Sequence, residues 1–278
     1  MSATLSVPRR LPPAALLAGG AIVLGFIVLA LLGPWLAPYD PTRFAVRLRF
    51  TPPSLAHPFG TDEFGRDVFS RVLAGARYSL AMGFGATGLS LLFGVPLGLI
   101  AAIRRGAVET AIMRGTDLLI SLPPILLGLL ILAVTQPGLG KTILAVGIVY
   151  TPILVRLTRA VALGVLAEDF VLAARARGES DVSILVREVA PNALAPIIVE
   201  AGLRVTFAIL LGSALSFLGL GPQPPSSEWG LMIAESREFI AQAPWIGLAP
   251  GFALCALLMS VNLFGEGLRA WLDPRAHG

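Results

Sequence analysis

Charge is scarce in this chain: of its 278 residues only 14% are Asp, Glu, Lys or Arg, against about 25% in a soluble globular protein. Too little polar surface exists to face water all round. Cysteine occurs once, at Cys255, which excludes an intrachain disulfide framework. Histidine occurs twice, at His57 and His277, and no Cys/His cluster has metal-ligand spacing. Lysine occurs once, at Lys141, in a Gly140-Lys141-Thr142 stretch. The first glycine of a phosphate-binding loop would fall there on Thr135, so nucleotide binding is excluded at that place. His-Glu-x-x-His zinc signatures, nucleophile elbows and Ser-x-x-Lys motifs are missing too, which leaves an intramembrane hydrolase without support.

What fills the chain instead is apolar sequence, 55% hydrophobic. Uncharged stretches run from Leu11 to Tyr39, Tyr78 to Ile103, Leu118 to Gly140, Val205 to Ser227 and Phe239 to Gly265. A membrane-crossing helix needs about 20 predominantly apolar residues. The predicted spans are Ala14–Leu36, Tyr78–Ile103, Arg114–Val134, Thr142 through Arg156 and Arg159 to Leu166, Ala195–Leu220 and Pro244–Leu268. The expected fold class is therefore all-α, a polytopic membrane protein of six transmembrane helices.

Six spans place both termini on one side. With those termini inside, 12 basic residues fall on inner segments (among them Arg9, Arg10, Arg104, Arg105 and Arg275) and eight on outer ones. That bias follows the positive-inside rule, although six arginines crowd the first outer loop. The net charge of +4 is accounted for by such loops, so no nucleic-acid partner is expected.

Two polar segments look organised. Thr61-Asp62-Glu63 resembles a helix start, with a capping hydroxyl and early acids, and Phe64, Val68 and Val72 recur every four residues, which predicts a short interfacial helix. Glu168–Val189 is also helical in pattern, broken at Gly178 and ended by Pro191. Within the spans, Gly83-Phe84-Gly85-Ala86-Thr87-Gly88 matches a dinucleotide fingerprint in letters but lies in an apolar run. It reads, with Gly94 and Gly98, as small residues for close helix approach. Prolines at 96, 123, 124, 152, 196 and 250 suggest kinked helices around a cavity. Intramembrane charges mark function or pairing: Arg114 with Asp117, Glu200 with Arg204, and Glu266. Asn262 joins Glu200 and Arg204 as a candidate for the translocation path or for helix pairing. A self-sufficient secondary transporter or channel remains an alternative, though no repeat and no series of acids supports it.

Several segments match a known family. They are His57-Pro58-Phe59-Gly60-Thr61-Asp62-Glu63-Phe64-Gly65-Arg66-Asp67, Ala173-Ala174-Arg175-Ala176 with Gly178, Pro191-Asn192, and Leu215-Ser216-Phe217-Leu218-Gly219. Trp229-Gly230, Ala243-Pro244-Trp245, Asn262-Leu263-Phe264-Gly265-Glu266 and Asp273-Pro274-Arg275 follow in order. The chain resembles the second, C-type permease subunit of bacterial dipeptide, oligopeptide and nickel ABC importers.

The resemblance implies a type I importer permease fold and no enzymatic activity or cofactor of its own. It further implies residence in the bacterial inner membrane with both termini cytoplasmic. The implied partners are a homologous permease, two ATP-binding cassette ATPases and a periplasmic substrate-binding protein. Residues 1–57 would hold a cytoplasmic tail, the first span and the start of an outer loop, and residues 58–278 a core of five spans. A cytoplasmic docking loop at about 166–192 would meet the ATPase through Ala173, Ala174, Arg175, Gly178 and Pro191. Leu172, Arg177, Glu188 and Ala190 depart from that motif. Trp229 would contact a periplasmic partner.

Overall fold

The computed structural model describes residues 13–272. Arg9, Arg10, Arg275, His277 and the Asp273-Pro274-Arg275 motif lie outside the described residues. Within them the chain is helical, with no strand beyond one isolated bridge between Thr61 and Asp67. The helices are α1 (Ala14–Leu36), α2 (Val68–Ile103), α3 (Ala107–Ile120), α4 (Pro124–Ala133), α5 (Leu139–Leu166), α6 (Asp169–Ala176), α7 (Asp181–Phe217), α8 (Trp229–Ser236) and α9 (Trp245–Leu272). Five are long and apolar enough to cross a membrane, and a sixth crossing results if α3 and α4 count as one span.

Those two helices are where the expected Arg114–Val134 span is broken. The pair is bent by 92°. Leu122 and Pro123 each precede a proline, whose ring disfavours α geometry in the residue before it, and Pro123 is extended at φ −54, ψ 136. The chain leaves the α ladder at Ser121 and re-enters it at Pro124.

Two further expectations change. Thr61-Asp62-Glu63 starts no helix. Gly65 turns the chain at φ +75, and the helix begins at Val68 because the Asp67 carboxylate accepts from the Ser70 amide at 2.8 Å and its hydroxyl at 2.7 Å. The predicted interfacial turn and second span are thus one helix of 36 residues. Nor does Pro191 end a helix, since α7 runs through it. Residues Ile184–Val189 are wound as a π-helix, whose wider i→i−5 ladder accommodates the missing donor. The Asn192 side-chain amide donates to the Glu188 carbonyl at 2.6 Å.

Small residues set the packing. A Cβ at Gly94 would lie 2.7 Å from the Leu154 Cβ, and one at Gly98 would lie 2.6 Å from the Thr158 Cβ. α2 and α5 therefore touch backbone to backbone, and the Ser90 hydroxyl reaches the Gly147 carbonyl at 2.8 Å. α1 crosses α9 in the same way at Gly19 and Gly267. Gly98→Leu is expected to destabilise the bundle by about 1–3 kcal/mol through overpacking. A thermal midpoint in detergent equal to wild type would show that α5 yields.

Burial follows this frame in three layers along the bundle. Val68, Val72, Trp229, Met232, Ile246 and Leu257 pack at the start of α2. Met82, Ala86, Val146, Tyr150, Leu211 and Leu215 fill the middle. Ala102, Ala162, Leu166, Val171, Ala174 and Ile184 close the other end. With 36 residues, α2 is about 54 Å long at 1.5 Å per residue, longer than the ~30 Å hydrocarbon core. The loops at its two ends consequently stand clear of the apolar slab on opposite sides.

Candidate docking and path sites

At one end, α6 is an eight-residue helix with two unlike faces. Val171 and Ala174, three residues apart and so on one face, are fully buried against α2, α5 and the π segment. Phe170, Leu172, Ala173, Arg175 and Ala176 are exposed. Of the two motif alanines only Ala173 is available to another chain, because Ala174 is part of this chain's own core. Gly178 sits at φ +82, a conformation that favours glycine, and there the chain reverses into α7. Arg177 pairs with Glu179 at 2.7 Å, whereas Arg175 has no ion pair among the described residues. Pro191 is exposed on α7. The apolar pair Phe170 and Leu172 is exposed by 41% and 52%; sequence reasoning registers Leu172 only as a departure from the motif and misses the pair. Its signal was two large apolar residues in a polar inter-span loop.

The opposite end is held by buried ions. The Asp62 carboxylate accepts from Arg66 Nε and Arg71 Nη1, both at 2.6 Å, and from the Phe64 and Arg66 amides, both at 2.9 Å. Arg71 Nη2 also donates to Glu235 at 3.0 Å and to the Ser226 carbonyl at 3.0 Å. Arg66 Nη2 reaches Glu63 at 3.1 Å and Glu235 at 3.4 Å. Asp62, Arg66 and Arg71 are at most 1% exposed, so α8 is tied to the loop ahead of α2 through charges out of water. His57 Nδ1 lies 2.9 Å from Asp67, and the Trp245 indole donates to the Thr61 carbonyl at 3.1 Å.

Burial pushes the Glu63 carboxyl above its ordinary value of 4.5; Asp62 and Glu235 add to the shift, while its own amide and Arg66 oppose it. The folded chain thus holds this proton more tightly than the unfolded one. Stability from this group is full below pH 4.5 and is lost as pH rises through the raised value. Glu63→Gln should flatten that decline, which thermal midpoints across a pH series would read. An unchanged slope would assign the decline elsewhere.

Trp229 has no surface for a partner. It is 0% exposed, its indole donates to the Val72 carbonyl at 3.1 Å, and Phe26 meets it edge-on at 6.1 Å. A large apolar ring with one donor is most stable where both are satisfied, and Gly75 makes the room. Ahead of it Glu228 caps α8, accepting from the Gly230 and Leu231 amides at 3.0 and 2.8 Å. Burial pushes its carboxyl up against the pull of those amides.

Between the two ends, Glu200 and Arg204 pair as expected, at 2.5 Å, and the guanidinium lies over Phe207 and Tyr150, 5.1 and 5.7 Å from their centroids. Glu200 lines a cavity of about 540 Å³ with Asn192, Pro196, Leu203 and Arg269. Asn262 is elsewhere, on α9, donating to Glu266 at 3.2 Å. Asp117 does not choose Arg114: it pairs with Arg156 at 2.5 Å, and Glu109 pairs with Arg159. These two cross-links bind α3 to α5, and each gives a charge near the membrane its counterion.

An all-α bundle of five or six apolar spans, with an amphipathic helix packed at one end and paired charges between the spans, defines an integral membrane protein. The chain belongs to the family of binding-protein-dependent transport system inner membrane components, whose model matches residues 94–278. The N-terminal transmembrane domain of oligopeptide transport permease C matches residues 14–53. The chain is 42% identical to the dipeptide transport system permease protein DppC of Alkalihalophilus pseudofirmus, covering 92% of this chain and 84% of that one. It is 42% identical to the di/tripeptide permease DppC of Pseudomonas aeruginosa over 92% and 87%. With the glutathione transport system permease GsiD of Pectobacterium atrosepticum it shares 37% identity over 93% and 86%. In fold it is similar to a chain of the inward-facing MetNI methionine ABC transporter, with a TM-score of 0.61 and 16% identity over 73% of this chain and 96% of that one.

Proposed function

We propose that this chain is one half of the pore of an ABC importer that carries peptides or a related small solute. Its partner in the pore would be a homologous permease, with two ATPases beneath and a periplasmic binding protein above. The observation that carries the reading is the family match over residues 94–278 together with relatives named as di- and tripeptide permeases. The residues 166–192 then form the cytoplasmic docking loop and both termini are cytoplasmic, which puts the Arg66–Arg71 network outside. In this reading the core of residues 58–278 works as a unit, and α6 enters a groove of the ATPase with Phe170, Leu172 and Ala173 foremost. ATP-driven closure pulls on α6, and the α2–α5 and α3–α5 contacts carry the movement into the spans, so that the cavity beside Glu200 and Arg204 changes sides.

Co-purification tests this. The tagged chain, extracted in mild detergent from its native host, should bring down a second permease and ATPase subunits and hydrolyse ATP. Recovery of the chain alone, from membranes in which other complexes survive, would overturn the importer reading.

A further inference from the structure

The ion pair between Asp117 and Arg156 lies too deep for the exposure it has. Gly94 and Gly98 of α2 lie against Leu154 and Thr158 of α5, so Arg156 is level with the α2 residues between those glycines. Along α2 that level is about 12 Å from Arg104 at 1.5 Å per residue, inside the uncharged run from Tyr78 to Ile103. Yet the Asp117 and Arg156 side chains are 50% and 48% exposed on this chain. Charges at such a depth face a water-filled cavity or a polar partner, because lipid tails leave them unsolvated.

The polar surface continues along α3. Thr110, Arg114, Asp117 and Ser121 are spaced by four, three and four residues, which stacks them on one helix face, and all four are exposed. The Thr110 and Ser121 hydroxyls donate to the Gly106 and Leu118 carbonyls, which leaves their lone pairs to accept from outside. Elsewhere α3 is seated on α5 by buried Thr116 and by the pair of Glu109 with Arg159. Three guanidinium groups, those of Arg114, Arg156 and Arg159, thus stand with two carboxylates. Arg156 and Arg159 engage both, and Arg114 makes no salt bridge among the described residues. A guanidinium does not shed its proton, so an exposed positive charge remains on this face.

We infer that this stripe lines the inner half of the translocation path and that Arg114 takes the carboxylate of the passing solute. The inference deepens the importer reading and rests on it. A guanidinium offers a carboxylate two parallel donors. Asp117, one turn further on and half-exposed, sets a negative charge beside that site for the ammonium of the same zwitterion. Snorkelling would carry the Arg114 stem to the membrane surface, but Asp117 and Ser121 lie farther along α3 from Arg104 than Arg114 does, and the polar face reaches them. Dry packing of a second permease on the stripe would bury an unpaired guanidinium at high cost. The Glu200–Arg204 pair is no substitute: its side chains are only 19% and 15% exposed, and Arg204 is committed to Glu200 and to the Phe207 and Tyr150 rings.

The test uses the whole transporter in lipid nanodiscs, with Cys255→Ser to remove the native thiol and Thr110→Cys or Ser121→Cys to place a new one. Reaction rates with an anionic sulfonatoethyl and a cationic trimethylammonioethyl thiosulfonate are each taken relative to a free thiol. Both positions should react with both water-soluble reagents and favour the anion about tenfold at low salt, as a positive charge in a narrow path requires. Adding Arg114→Gln should abolish that preference. Trialanine delivered by the binding protein should enter proteoliposomes with a KM about tenfold higher in Arg114→Gln, and with an intermediate KM in Arg114→Lys. Thermal midpoints should not change, which separates a lost contact from a lost fold. Thiols at 110 and 121 that react only with a lipid-soluble maleimide would put the stripe against lipid and overturn the path. An anion preference that survives Arg114→Gln would overturn the role of Arg114. Wild-type trialanine kinetics in Arg114→Gln, or the expected reagent pattern in a transporter that carries no trialanine, would overturn the cargo contact while the lined path stands. A chain that assembles with no other subunit would overturn the importer reading itself.

Discussion

Phe170→Asp combined with Leu172→Asp is expected to leave the chain in the membrane at wild-type levels and to reduce uptake about a hundredfold or more. Both side chains are exposed on α6, neither belongs to the cluster beneath it, and the flanking Val171 and Ala174 keep the helix seated. On the proposed docking role, the loss falls on the contact with the ATPase. Two apolar anchors of an interface are each worth about 2 kcal/mol or more when fully buried by a partner, and two introduced carboxylates add a desolvation cost. Uptake and substrate-stimulated ATP hydrolysis should fall together, while basal hydrolysis by the ATPases persists. Uptake within twofold of wild type would remove α6 from the coupling path. The pair makes a cleaner test than deletion of 173–178, which would take Ala174 out of the core.

Arg71→Ala has the other large expected effect, and it acts on folding. The substitution strips Asp62 and Glu235 of a guanidinium that each contacts, at 2.6 and 3.0 Å, and frees the Ser226 carbonyl. Breaking a buried ion pair from one side costs about 3–5 kcal/mol, a large part of a stability of about 5–15 kcal/mol. Loss of the tie should release α8 first, so limited proteolysis is expected to cut between residues 218 and 245 at rates far above wild type. Arg71→Lys should rescue little, because one ammonium replaces a fork that reaches three acceptors. Resistance to protease equal to wild type in Arg71→Ala would show that α8 is held by Trp229 and its neighbours alone.

The residues that revealed themselves in sequence are those whose partners are close along the chain or whose constraint is steric. The bounds of α1 follow from an apolar run, Gly94 and Gly98 from their spacing, and Glu200 with Arg204 from one helical turn. The reversal at Gly178 follows from its residue type. Asp117 illustrates the limit, since local spacing favours Arg114, yet Arg156, 39 positions away, wins once α3 lies on α5. Glu235 was invisible for the same reason, being 164 positions from Arg71. The 92° bend was partly legible, as Pro123 and Pro124 stand at the break. The length of the apolar run outweighed them because a bilayer accepts a broken helix as readily as a straight one if its ends are satisfied. Trp229 misled because an aromatic beside prolines in a loop reads as surface until Gly75 is seen to clear a slot for it.

The π segment of α7 has a consequence for which length changes this chain tolerates. Ile184–Val189 holds one residue more than α geometry requires at that point. Deleting a single residue there would let the ladder close without stretching either flank, so the membrane half of α7 would keep its place. The loop side would keep its place as well, because the wider turn is what absorbs the surplus residue, and Phe170 and Leu172 would keep their aim. The same deletion in α2 has no slack to consume and would carry Gly94 and Gly98 off Leu154 and Thr158. Related chains that lack one residue between positions 184 and 189 should therefore share this bundle and present α6 at the same angle, with an unbroken α ladder in place of the π turn.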